Sequence, residues 1–295
     1  MPSKDRQDKL RHALEHGFLV GDGGMGTRLQ GEGVPSDLAL ELLNADRPHQ
    51  IRAAHLAFLE AGSDVIQTNT FQGNSISLAK HGLADRAAEL NKAGACLAVE
   101  TAGERAYVAG SVGPTGRILE PYGDLAADTA RAAFAEQTLA LAEAGVDFLI
   151  FETFFALEEL CCAIDAGLET GLPIVAGMAF DPGGYTSFGV SPEQAAERLG
   201  AAGAMVIGAN CGTVSPAEMV DIIARFRQAS ALPLFAQPNA GCPQQTPSGV
   251  IYPEGPESLA DAAARFHELG ATLIGGCDGT TPEHLRAIVR RLRAA

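Results

Sequence analysis

Eight short runs, each almost continuously apolar, recur along the chain, and amphipathic alanine-rich stretches separate them. The runs span residues 18–21, 65–70, 107–112, 148–153, 173–180, 205–211, 233–239 and 272–277. Unbroken apolarity over so few residues marks parallel strands covered on both faces. Helices are expected over residues 50–61, 84–101, 126–144, 158–170, 192–201, 216–228, 258–269 and 282–292. Their starts are well signalled. Ser191-Pro192-Glu193-Gln194 and Ser215-Pro216-Ala217-Glu218 each supply a capping serine, a proline at the first helical position and a Gln or Glu to close a capping box. Thr281-Pro282 repeats the cap and proline. Gly62, Gly145, Gly171, Gly203 and Gly270 stand where helices should stop before the next strand.

Strand–helix units in this number predict an α/β fold: a single (β/α)8 barrel domain over residues 1–295, with an N-terminal helical extension. A doubly wound sheet is the competing arrangement. The formal charge of -15 argues against nucleic-acid binding, which needs a basic surface, and against docking on an anionic membrane. The charged stretch 1–17 has no apolar core of a secretory signal, and no run is apolar enough to span a bilayer. Six cysteines in a chain this long do not resemble a disulfide framework, so a reducing cytoplasm is expected.

One phrase occurs twice: Ile207-Gly208-Ala209-Asn210-Cys211-Gly212-Thr213 and Ile274-Gly275-Gly276-Cys277-Asp278-Gly279-Thr280. Each places a cysteine at a strand's C-terminal tip, the end where barrels carry their chemistry. Strands six and eight lie two apart, so Cys211 and Cys277 can converge on one metal ion. Asp278 either adds an oxygen ligand or only organises its turn. Catalytic zinc keeps an open position, binds a substrate thiol there and removes its proton. Cys96, Cys161 and Cys162 fall on helices and are read as packing residues. Asp22 and Glu152 end strands one and four. Two rim carboxylates suit an ammonium group, which makes the expected substrate a small amino thiol.

Taken together, several motifs resemble the homocysteine S-methyltransferase family. They are Asp22-Gly23-Gly24-Met25-Gly26-Thr27, Gln67-Thr68-Asn69-Thr70-Phe71, Gly113-Pro114-Thr115, Glu152-Thr153, Asn210-Cys211, Pro238-Asn239-Ala240-Gly241, and Gly275-Gly276-Cys277 with Gly279-Thr280-Thr281-Pro282. The resemblance runs in order from Phe18 to Leu292. It implies a zinc-dependent barrel that methylates homocysteine sulfur, hence methionine biosynthesis. It implies Cys211 and Cys277 as metal ligands, and Asp22 and Glu152 as holders of the amino group. Asn239, Thr68 and Asn69 are implied as further substrate contacts, with Cys211, Cys277 and Glu152 as the catalytic set. The family's third zinc ligand is a cysteine where this chain has Asp278. Either Asp278 replaces it, or Cys242 does from beyond strand seven, or the metal site is lost.

The methyl donor stays open between a separate methyl-corrinoid protein, the only route by which cobalamin would enter, and a small onium compound. Phe71, Phe154 and Tyr185 are candidate cage aromatics for the latter. The alternatives are a family variant with another thiol or donor, a metal-free amino-acid-binding barrel, and a lyase or hydrolase using the same carboxylates.

Overall fold

Each apolar run becomes a strand in the computed structural model, which describes residues 2–246 and 249–294. The strands of the main sheet are β1 (Leu19–Val20), β2 (Val65–Gln67), β3 (Tyr107–Val112), β4 (Phe148–Phe154), β5 (Ile174–Met178), β6 (Val206–Asn210), β7 (Leu234–Gln237) and β10 (Ala271–Ile274). A small hairpin, β8 (Gln244–Thr246) with β9 (Gly249–Ile251), follows β7. All ladder pairs in the main sheet are parallel, in the order β1-β10-β7-β6-β5-β4-β3-β2.

The sheet curls until its two edge strands meet. No ladder joins β1 to β2. The seam is held by Asp64, whose N–H donates to Val20 O at 2.7 Å and whose Oδ2 accepts from Val20 N at 2.9 Å. One step higher, Gln67 N donates to Asp22 Oδ2 at 2.8 Å. The eight-stranded (β/α)8 barrel is thus nearly closed. Gly21-Asp22-Gly23-Gly24-Met25-Gly26 has the spacing of a dinucleotide-binding turn, which would favour a doubly wound sheet. The closed strand order excludes that arrangement.

The expected helices form as α4 (Pro48–Ala61), α6 (Ala87–Ala102), α7 (Ala127–Glu143), α8 (Leu157–Leu168), α9 (Pro192–Ala201), α10 (Pro216–Ala229), α11 (Pro256–Glu268) and α12 (Pro282–Arg293). Ser191 and Ser215 close capping boxes with Gln194 and Glu218, while Thr281 closes one with His284. The five stop glycines all have positive φ, between 72° and 103°. Short helices not foreseen in the sequence, α2 (Met25–Gly31), α3 (Leu43–Asp46) and α5 (Ser75–Ala79), lie in the loops after β1 and β2. Of these, α2 lines the mouth through Met25, Gly26, Thr27 and Gln30.

The N-terminal extension is α1 (Lys4–His16). Its Leu10 and Leu14 join Leu19, Val65, Ala109, Phe148, Ile150, Val175, Val206, Phe235 and Leu273 in one buried cluster. Those strand residues point into the barrel, so α1 plugs its N-terminal end. Side chains alternate along a strand, so the next inward layer toward the C-terminal rim reads Gly21, Gln67, Ser111, Glu152, Gly177, Gly208, Gln237 and Gly275. The interior therefore changes from apolar to polar in one step. The glycines make room: a Cβ at Gly177 would stand 2.2 Å from the Phe235 ring.

No helix among the described residues is long and apolar enough to cross a membrane.

On α4, His55 is fully buried and neither ring nitrogen has a partner among the described residues. Burial pushes its pKa down to about 4. The folded form then refuses a proton that the unfolded chain takes below its ordinary pKa of 6.5, so stability falls as pH drops from 6.5 toward 4. The loss from this group is about 3 kcal/mol. His55→Leu should remove that acid-side loss in urea melts at pH 7 and 4.5. An unchanged difference between the two pH values would refute the assignment.

Candidate active site

Polar strand tips and the loops beyond them enclose a cavity of about 410 Å³ at the C-terminal mouth. Its wall includes Asp22, Glu41, Glu152, Asp278, Cys211 and Cys277, and no Lys, Arg or His.

Cys211, Cys277 and Asp278 each present a ligand atom, and the three atoms lie within 4.8 Å of one another. Cys211 Sγ is 3.8 Å from Asp278 Oδ2. The backbone fixes these positions through β7: Cys211 N donates to Gln237 O at 3.0 Å and Cys277 N to Pro238 O at 2.8 Å. Cys211 has a φ of 55°, a left-handed conformation that costs a non-glycine residue free energy. The Cys277 thiol sits well above its usual pKa, first because it faces Cys211, then because it is buried among negative groups. Burial likewise raises Asp278. Two soft donors and one hard donor at one point, with space beside them, fit a zinc ion with one position open.

Cys242 is not part of this cluster. Its Sγ donates to Thr213 O at 3.2 Å, which turns the thiol onto the loop after β6 and away from the shared point.

Glu152 shares the cavity wall with the cluster, and the Asn210 amide reaches both Glu152 and Cys277. Glu152 accepts from Ser111 Oγ at 2.6 Å and from Asn210 Nδ2 at 3.3 Å. Asp22 accepts from Gln67 N and, at 3.3 Å, from Gln67 Nε2. Burial pushes both carboxyls up to about 7, and each feels negative charge nearby, Glu152 acting on Asp22 and Asp278 on Glu152. Asn210 ties the elements together. Its Oδ1 accepts from Thr153 N at 2.8 Å and its Nδ2 donates to Thr153 Oγ1 at 2.7 Å. Thr153 also has a positive φ, 63°. The strained tip of β4 is therefore clamped by the residue just before the strained cysteine.

Three expected substrate contacts also make bonds within the scaffold. Asn239 does not line the cavity: its Nδ2 donates to Gly212 O at 2.9 Å and its Oδ1 accepts from Asp278 N at 3.0 Å. It bridges the two cysteine loops. Thr68 lines the cavity, but its hydroxyl accepts from Ser111 N at 3.0 Å and pairs with Thr70 Oγ1 at 2.6 Å. Asn69 also lines it, with its amide nitrogen committed to Leu40 O and Asn44 Oδ1. Among the cage aromatics, Phe71 lines the cavity, Phe154 is buried against Phe134, and Tyr185 carries Arg225 over its ring.

Asn210, Ser111, Gln67, Glu41 and Tyr252 belong to the site and were not singled out as site residues from the sequence. For the first three the signal was alternation, since each is a polar residue at an inward position of an otherwise apolar strand.

A parallel barrel whose rim gathers thiols and carboxylates around one cavity defines a class of metal-using or cation-binding enzyme. The family model for homocysteine S-methyltransferase matches residues 19–292, and the chain belongs to that family, a family of methyltransferases. It is 34% identical to methionine synthase of Mycobacterium tuberculosis over 302 aligned positions, covering 95% of this chain and 25% of that protein. The figures for methionine synthase of Mycobacterium leprae are 33%, 95% and 24%. The chain thus spans about a quarter of the length of these curated relatives. In fold it is similar to the homocysteine methyltransferase MmuM of Escherichia coli in its metallated form. The TM-score is 0.80 at 24% identity, over 96% of this chain and 99% of that one.

Replacing Asn239 with Ala would strand Gly212 O and Asp278 N in a buried place. A loss of about 2 kcal/mol is expected, read by urea melts of the metal-free protein. A loss below about 0.5 kcal/mol would show that the bridge holds nothing.

Proposed function

We propose that this chain methylates the sulfur of homocysteine, with Cys211, Cys277 and Asp278 holding zinc and with Asp22 and Glu152 holding the substrate ammonium. The observation that carries the reading is the cavity wall, rich in carboxyls and thiols and without a basic side chain. Such a wall takes cations at two places, a metal at the thiols and an ammonium between the carboxyls of Asp22 and Glu152. Both places lie in the wall of one cavity of about 410 Å³, room for a small molecule bearing both sulfur and nitrogen.

Cys211, Cys277 and Asp278 would hold the zinc, whose charge would favour loss of a substrate thiol proton, ordinary pKa roughly 8.5, to solvent. Asp22 and Glu152 orient the acceptor, and Ser111 and Asn210 keep Glu152 turned inward. The sulfur lone pair attacks the donor methyl carbon, the new S–C bond forms, and the old bond's electrons leave with the donor. The donor approaches from the other end of the cavity, past Met25, Leu38, Leu40 and Phe71. Glu41 lies there, buried, its Oε1 accepting from Gln72 N at 2.8 Å. A buried carboxyl with no ion pair among apolar residues favours a small cationic methyl donor over a methyl-corrinoid protein. The six unpaired thiols suit a reducing compartment such as the cytoplasm.

The decisive test is zinc content and homocysteine methylation with a panel of onium compounds and methylcobalamin. About one equivalent of zinc and turnover with an onium donor are expected. Less than about a tenth of an equivalent after refilling would remove the metal reading and leave an amino-acid-binding barrel.

A second prediction concerns pH. Asp22 and Glu152, at about 7 in the free protein, must ionise to hold an ammonium. Binding therefore releases protons below about pH 7, and affinity rises with pH up to that value and then levels. L-methionine is a suitable probe because it has the amino group and no thiol. Calorimetry at pH 6 in buffers of different ionisation enthalpy should report the release, and Asp22→Asn should reduce it. No proton release would remove these carboxyls from the ammonium site.

A further inference from the structure

We propose that Tyr252 is a positioning residue for the metal site: its hydroxyl holds the Asp278 oxygen that the metal does not take, so that Asp278 offers one oxygen beside the two thiolates. The inference rests on the metal reading above and goes beyond it.

Asp278 has a problem that a cysteine in its place would not have. A thiolate has one donor atom, whereas a carboxylate has two oxygens and about four acceptor positions. The second oxygen needs a donor, or the group swings between binding modes. Asp278's own backbone is already tied, its N–H to Asn239 Oδ1 and its C=O to Ala240 N. Its side chain is mostly buried, and the cavity wall has no basic residue to meet it. Three hydroxyls of the wall are committed elsewhere: Ser111 Oγ donates to Glu152, Thr27 Oγ1 to Gly24 O, and the Thr68 hydroxyl pairs with Thr70.

Tyr252 remains. It follows β9 directly, so the hairpin inserted after β7 is the arm that delivers it. It lines the cavity with Cys211, Cys277 and Asp278. Its ring lies beside the residue that follows Asp278, which puts the hydroxyl on the same stretch of wall as the Asp278 carboxylate. The ring is seated on Gly279, where a Cβ would stand 2.3 Å from Tyr252 Cγ. Gly279 also has a φ of 76°. Glycine next to Asp278 thus serves both the turn and the close approach of the ring. Partners of this outer kind orient metal-bound carboxylates and commonly change metal affinity 10–100-fold when removed.

The test is a four-protein cycle: wild type, Tyr252→Phe, Asp278→Cys and the double variant. Zinc affinity is read by competition with a chromophoric chelator at fixed pH, without substrate. Phenylalanine keeps the ring on Gly279, so the fold is retained. Tyr252→Phe should weaken zinc binding about tenfold or more in the Asp278 protein, and less than about twofold in the Asp278→Cys background. Equal affinity of wild type and Tyr252→Phe overturns the inference and leaves the metal reading intact. An equal loss in both backgrounds also overturns it, because Tyr252 would then act as a ligand itself or through packing alone. A wild type that binds no zinc removes the metal reading and this inference with it.

Discussion

Four carboxyls and two thiols on one cavity wall, without a basic residue, cannot all ionise unaided. Removing even one anion from water costs several kcal/mol, and crowding several together adds repulsion. The free protein meets this constraint with protons, and the raised pKa values of Asp22, Glu152, Glu41, Asp278 and Cys277 are that response. A metal ion and an ammonium group are better neutralisers, because each also makes directed contacts. The cavity is thus electrostatically incomplete by construction, and the proposed cationic ligands would complete it.

Holding mutually repelling groups together requires a stiff frame. The frame here is the polar layer at the top of the barrel. Asn210 links Glu152 and Thr153 on β4 to Cys211 at the end of β6. Asn239 links the loops after β6 and β10. Asp22 both faces the cavity and stitches β2 to the chain end of β1. Site and barrel closure therefore share a residue. Two non-glycine residues with positive φ, Thr153 and Cys211, lie within this frame. Such conformations cost of order 1–3 kcal/mol each, and the buried hydrogen bonds around Asn210 offset the cost.

Much of this was legible in the sequence for a local reason. Caps at Ser191 and Ser215, stops at Gly62 and Gly145, and apolar runs of strand length are signals spanning a few residues. They fixed the eight units, and eight units fix the barrel. Cys211 and Cys277 were legible because matched strand tips of a barrel must share a rim. What was not legible depends on where distant segments meet. Asn239 and Asn69 carry the right chemistry for substrate contacts, and the sequence could not show that partners 25 or more residues away engage the Asn239 amide and the Asn69 amide nitrogen. Cys242 has the right element and the wrong direction. Tyr252 arrives on a hairpin that no periodic pattern announced. The spacing of Gly21, Gly23 and Gly26 fits a dinucleotide turn, and it is the sequential strand order of the nearly closed barrel that excludes a doubly wound sheet.

The departure at Asp278 is best understood through charge. Two thiolates and a carboxylate carry the same formal charge as three thiolates, so the cavity's electrostatic balance is preserved. What changes is donor strength. Oxygen gives less electron density to zinc than sulfur does, so a zinc ion held by Cys211, Cys277 and Asp278 draws more from a fourth ligand. A substrate thiol there would lose its proton more readily and be a weaker nucleophile once ionised, because nucleophilicity falls as thiol pKa falls. The carboxylate therefore shifts the chemistry from attacking power toward thiolate supply. A weaker thiolate needs a donor whose methyl group is already activated. In the proposed reading a positively charged heteroatom would provide that, and the acid-rich wall that would hold the metal would also attract such a donor.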